Sequence, residues 1–238
     1  MRNTENPVNA LLQLSAGYYV SRSLHVAAEL GVADALGETP QPAASLATAT
    51  AADAGALDRV LRLLALYGIF EYADGAVAHT AASRMLRQDH PQSMRSLVRM
   101  FGLPGFWTAV GELGSAIRTG EPSANRALPG GIWGYLTENP EASRIFGEAM
   151  TAKAHGHIAG IVQVYDFSGL NVIADIGGGR GHLIQAIVSA TPTAAGVLFD
   201  QPHVVKEAAA VASDRLHVIG GDFFNDLKRT GFVRELVM

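Results

Sequence analysis

Cysteine is absent from all 238 residues, which excludes disulfides and thiolate metal sites. Lysine is nearly absent, confined to Lys153, Lys206 and Lys228, and charged residues make up only 17% of the chain. The formal net charge is −4, so there is no general attraction to nucleic acid or to an anionic membrane surface. No 18-residue apolar run is present, and no membrane span is expected. The polar N-terminus lacks a basic region followed by an apolar run, so no signal peptide is expected and a cytoplasmic location is the default. What the chain has in quantity is apolar surface. Hydrophobic residues reach 48%, enough for a large core in one large or two small domains.

The most informative stretch runs from Asn171 to Leu183. An apolar run, Val172-Ile173-Ala174, ends at Asp175. The turn Gly177-Gly178-Gly179-Arg180-Gly181 follows, and a new apolar pattern begins at Leu183 and Ile184. This reads as strand, tight loop and helix, which brings backbone N–H groups and a helix N-terminus close to a polar ligand. The spacing departs from the dinucleotide fingerprint G-x-G-x-x-G, because His182 stands where its third glycine would be. A phosphate-binding Walker loop is also excluded, since neither Lys nor Ser/Thr follows Gly181.

The N-terminal half reads as helical. Apolar residues recur at helical spacing from about Pro7 to Leu30, and Gly31 stops the run. So apolar a helix packs either on its own domain or in a partner subunit. A short helix is expected over 43–49, and a second over 54–67 with Asp53 as its N-cap. The pair Asp74-Gly75 marks a hairpin between strands at 69–72 and 76–79. Helix, helix and hairpin make a winged helix. Its reader helix offers only Asp58, Arg59 and Arg62 on its polar face, and residues 1–100 balance eight Arg against nine Asp/Glu. A DNA reader carries a basic footprint, so DNA binding is the weaker reading. Met100, Phe101 and Trp107 form an aromatic and Met cluster that is either core or the lining of an apolar pocket. The Pro-, Gly- and Ser-rich stretch 119–131 reads as a linker, and Asn139-Pro140 opens another helix. His155 and His157 are two residues apart and point different ways on a helix, so they do not form a metal site.

From Asp166 onward, strands alternate with helices, as in parallel βαβ units. Three strand ends then meet at one edge: Asp175 with its glycines, Asp200, and Asp222-Phe223. Ligands of open α/β sheets bind at such an edge. Asp200 suits the two hydroxyls of a ribose, or caps a helix. Asp222 and Phe223 suit an adenine amino group and ring, or form a turn beside a core aromatic.

These segments carry a resemblance. HVAAELGVADAL, LDRVLRLLALYGIFEYADG, YDFSG, VIADIGGGRGHL, GVLFDQPHVV and GGDFF occur in order, and the chain resembles the S-adenosylmethionine-dependent O-methyltransferases of the caffeate-type and bacterial polyketide-tailoring group. The resemblance implies an α/β architecture. A mostly helical winged-helix dimerisation domain (1–118) is followed by a linker with connecting helices (119–165) and an incomplete Rossmann-like class I methyltransferase domain (166–238). It implies S-adenosylmethionine as cofactor, held by Asp175, Gly177, Gly178, Gly179, Gly181, Asp200, Asp222 and Phe223. Phe146 and Met150 join Met100, Phe101 and Trp107 as expected lining for the substrate, a hydroxylated aromatic or polyketide-like small molecule. The expected assembly is a homodimer through the N-terminal region, with no metal. One departure stands out. In the family a further strand after GDFF leads to a His that serves as general base. Residues 225–238 hold no His, and His155, His157, His182 and His203 match no base position. The resemblance therefore implies a C-terminally truncated methyltransferase with no catalytic residue assigned and its turnover crippled. The alternative is a non-catalytic dimerising or regulatory remnant of the family.

Overall fold

The computed structural model describes residues 6–222, and packing divides the chain into two units, Met1–Tyr135 and Leu136–Met238. The first unit opens with α1 (Pro7–Glu29). Asn6 caps it, its side chain accepting from the Val8 N–H at 3.0 Å, and Pro7 occupies the first turn, where a missing N–H costs nothing. Gly31, with φ of 70°, ends the run and leads into α2 (Val32–Ala35).

The central part follows as β1 (Gln41–Pro42), α3 (Ala43–Ala49), α4 (Ala54–Leu66), β2 (Phe70–Ala73) and β3 (Ala76–His79). Asp53 caps α4 by accepting from the Ala56 N–H at 2.7 Å. Leu57, Leu61 and Leu64 recur at helical spacing and are buried against Val32, Leu36, Leu46, Phe70 and Val77. Asp74 and Gly75 both have positive φ, 52° and 76°, and Ala73 pairs with Ala76 across this two-residue turn. Such a turn twists in the same sense as its strands. The three strands form an antiparallel sheet in the order β1-β3-β2. On the polar face of α4, Arg62 donates to Asp58 and lies 5.8 Å from the Tyr72 ring centroid, while the Tyr72 hydroxyl also donates to Asp58. An arginine held by an acid and a ring is poorly placed to reach a base edge, which further weakens the DNA-reading alternative.

Short helices complete the unit: α5 (Ala81–Arg84), α6 (Arg95–Phe101), α7 (Pro104–Gly111), α8 (Leu113–Thr119) and α9 (Ser123–Ala127). The last forms inside the Pro- and Gly-rich stretch read as linker, with Pro122 at its N-cap. Then α10 (Gly131–Glu138) crosses into the second unit.

The second unit begins with α11 (Pro140–Val164), Pro140 again at a first helical turn. After it come β4 (Val172–Ile176), α12 (His182–Ala190), β5 (Ala195–Asp200), α13 (Pro202–Glu207) and β6 (Leu216–Gly220). The sheet is parallel with order β4-β5-β6. Central β5 is the most apolar strand, with residues 196–199 all buried. Ile184, Val188, Leu198, Ala208 and Leu216 form the core between the helices and the sheet.

Candidate cofactor-binding site

Parallel register brings the candidate residues to one edge. Asp175 pairs with Leu198, Ile176 with Phe199, and Asp200 with Gly220, so the three strands end together. The ladder extends one step into the loop, because the Gly177 N–H donates to the Phe199 carbonyl at 2.7 Å. Gly181 then donates to the Gly178 carbonyl at 2.9 Å, closing the turn that starts α12.

The four glycines divide into two kinds. A Cβ on Gly178 would stand 2.5 Å from Asp175 Cγ and 2.6 Å from Leu198 Cδ1, and one on Gly181 would stand 2.8 Å from Leu198 Cδ2. These two permit close packing of loop on sheet. Gly177 and Gly179 have φ of 76° and 59°, and a Cβ there would meet nothing within 4 Å. They turn the chain and leave one side of the loop open to an approaching molecule.

Two carboxylates face this loop. Asp200 Oδ2 accepts from the Gly179 N–H at 2.8 Å, and Oδ1 accepts from the Gln201 N–H at 2.7 Å. Each oxygen keeps a second lone pair for a hydroxyl donor. Burial pushes the Asp175 carboxyl above the usual carboxylate range, the Asp200 charge adds to the rise, and the Ile184 N–H partly offsets it. Since the folded state holds the Asp175 proton more tightly than the unfolded chain, stability falls as pH rises through the interval above the ordinary carboxylate value. Asp175→Asn is therefore expected to raise the melting temperature at pH 7, with the gain shrinking as the pH is lowered through that interval. Thermal melts across a pH series check this.

Two carboxylates beside the open side of the loop at Gly177 and Gly179 suit a ligand carrying hydroxyls and positive charge. They oppose a phosphate. The one basic side chain in the loop, Arg180, is bound to Glu207, its Nε and Nη2 donating to Oε2 at 3.0 and 2.7 Å. Asp222 is exposed just past β6, and the Gly221 N–H donates to the Asp200 carbonyl at 3.0 Å, drawing the chain after β6 along the end of β5. Phe223 lies outside the described residues. Thus Asp175, the glycines, Asp200 and Asp222 come together at one sheet edge.

The residues expected to line a substrate site fall in both units. In the first, Met100 is buried on α6 and Phe101 is 53% exposed. Trp107 on α7 lines a cavity of about 380 Å³ with Tyr18, Tyr19, Arg22, Ser23, Val26 and Val60, and the Arg22 guanidinium carbon lies 5.7 Å from its ring centroid. In the second, Phe146 and Met150 are half-buried on α11. Sequence reasoning missed Tyr18, Tyr19 and Arg22, although their helical i, i+1, i+4 spacing and aromatic–basic character were visible. The His157 ring bonds locally to the Lys153 carbonyl at 2.9 Å, and no group of three metal-ligating side chains occurs among the described residues.

Comparison with known proteins places this geometry in context. Residues 110–230 match the O-methyltransferase domain and residues 12–89 the O-methyltransferase dimerisation domain. The chain is 39% identical to a phenazine O-methyltransferase of Lysobacter antibioticus, covering 94% of this chain and 67% of that protein. It is 36% identical to a mitomycin biosynthesis 6-O-methyltransferase of Streptomyces lavendulae, covering 94% and 65%. It therefore spans about two thirds of the length of these relatives. Among solved structures it is similar to an O-methyltransferase from neocarzinostatin biosynthesis in complex with S-adenosylmethionine and 2-hydroxy-5-methyl naphthoic acid. That similarity has a TM-score of 0.75 and 30% identity over 86% of this chain and 65% of the other. With a parallel sheet edge built around a glycine loop and both domains of the family matched in order, the chain belongs to the O-methyltransferase family.

Proposed function

We propose that this chain binds S-adenosylmethionine at the β4–β5–β6 edge and serves methyl transfer to a hydroxyl of a small aromatic or polyketide-like molecule. The observation that carries the reading is the pairing of Asp175 and Asp200 with the open face at Gly177 and Gly179. The cofactor supplies an electrophilic methyl group on a positively charged sulfur. In this assignment, the open side of the loop at Gly177 and Gly179 and the Asp175 carboxylate face the methionine portion, whose cationic groups suit a carboxylate in a half-buried setting. Asp200 accepts from the ribose hydroxyls with its remaining lone pairs, and Asp222 accepts from the adenine amino group. Phe146 and Met150 of the second unit are assigned to the acceptor. The chain's part in the transfer is to hold the acceptor oxygen in line with the methyl group. The hydroxyl must also lose its proton, and we assign no residue of this chain to that step. Calorimetric titration with S-adenosylhomocysteine tests the binding assignment.

We further propose that the assembly is a homodimer joined through α1. Val8, Leu11, Leu12 and Leu14 are 58–82% exposed on that helix, and the dimerisation-domain match covers most of it. A contiguous apolar face of this kind on an isolated chain calls for a partner surface. The double substitution Leu11→Asp, Leu14→Asp is expected to convert a dimer to a monomer in light scattering, with the helical circular dichroism retained.

A further inference from the structure

Arg180 sits at the tip of the glycine loop, yet its side chain turns away from the open face. Nε and Nη2 both donate to Oε2 of Glu207, at 3.0 and 2.7 Å, across 27 residues of sequence. Glu207 is the last residue of α13, the helix that begins directly after Asp200-Gln201. On another side the guanidinium lies against α11. A Cβ placed on Gly147 would be 3.6 Å from Nε and 3.8 Å from Cζ and Nη2, ordinary contact distance. Loop, α13 and α11 therefore meet at one guanidinium, whose side chain is only 23% exposed.

We infer that Arg180 is a positioning residue for cofactor binding, a latch that fastens the glycine loop to α13. The inference rests on the cofactor assignment above. Besides the Gly177 N–H on the Phe199 carbonyl, two side chains on the β5–α13 side hold the loop. Asp200 holds it at Gly179 by backbone, and Glu207 holds it at Arg180 by side chain. Between them they fix the stretch 179–180, beside the open side of the loop at Gly179. A loop with three residues at positive φ has wide conformational freedom once released, and ordering it again would be charged against binding. The same pair gives the loop a basic residue without giving the site a positive charge, because Glu207 neutralises the guanidinium on the far side. That keeps the pocket suited to a cationic ligand. Arg180 touches no reacting atom in this account and acts only through the loop.

The test is titration of the full chain with S-adenosylhomocysteine, alongside thermal melts. Arg180→Met and Glu207→Gln are each expected to weaken binding by about three- to five-fold, the scale of a partly exposed ion pair. The swapped double variant Arg180→Glu, Glu207→Arg is expected to recover most of the loss, and Arg180→Lys to fall between. A merely structural role would lower the melting temperature without this pattern of recovery. Either single variant binding within error of the parent overturns the inference, as does a well-folded swap that recovers nothing. The two readings separate cleanly. If the unaltered chain fails to bind, the cofactor assignment falls and takes the latch with it. If the unaltered chain binds, Asp200→Ala loses binding and Arg180→Met does not, the latch alone falls.

Discussion

Asp200→Ala weakens binding of S-adenosylhomocysteine by about 100-fold or more, measured by calorimetric titration. Three consequences add. The ribose hydroxyls lose their acceptor, and hydrogen bonds to a charged group are worth about 1.5–3 kcal/mol each. The Gly179 and Gln201 N–H groups lose a partner that now holds them at 2.8 and 2.7 Å, so the loop and the start of α13 both loosen. The site also loses one of the two carboxylates that make it attractive to a cationic ligand. Asp200→Asn separates these effects. One amide oxygen can still accept, while the amide nitrogen would confront an N–H donor, so an intermediate loss of about ten-fold is expected.

The second large effect is at Gly178. A single added methyl would stand 2.5 Å from Asp175 Cγ and 2.6 Å from Leu198 Cδ1. Neither neighbour can give way cheaply. Leu198 is fully buried on the central strand, and Asp175 is held by the strand end and by the Ile184 N–H. Gly178→Ala is therefore expected to cost about 1–3 kcal/mol of stability as overpacking and to displace Asp175 enough to remove measurable ligand binding. The contrast with Gly179→Ala is the informative part. Space is open there, so only the positive φ opposes the side chain, at a cost of about 1–2 kcal/mol, and the fold is expected to persist. Chemical denaturation of the two variants, side by side, reads the difference.

Much of the framework was legible because it rests on short-range signals. Asp53 caps α4, Asp74-Gly75 turns the β2–β3 hairpin, and Pro140 starts α11, each through chemistry contained within four residues. The alternation of strand and helix after Asp166 likewise dictated a parallel sheet, and with it the convergence of Asp175, Asp200 and Asp222. What could not be read was which groups meet across long separations. Nothing near Arg180 in sequence marks Glu207 as its partner. Likewise, Asp200 was legible as an acceptor at a strand end, but not as the clamp on the Gly179 N–H. The cavity around Trp107 depends on α1, α4 and α7 coming together in the first unit, and its Tyr18, Tyr19 and Arg22 look from sequence like ordinary helix positions. Within 119–131, which the Pro and Gly content marks as a linker, Pro122 is compatible with a helix start and α9 forms there.

The central claim is that the loop 177–181, with Asp175 and Asp200, forms a site for an adenosyl sulfonium cofactor and not for a phosphorylated nucleotide. The most direct measurement is calorimetric titration of the purified 238-residue chain with S-adenosylhomocysteine, with ATP and NAD as parallel ligands. The account predicts saturable binding of S-adenosylhomocysteine at one site per chain, and no binding of ATP or NAD. A folded chain that shows no saturation with S-adenosylhomocysteine, or that binds ATP or NAD as tightly, would contradict it.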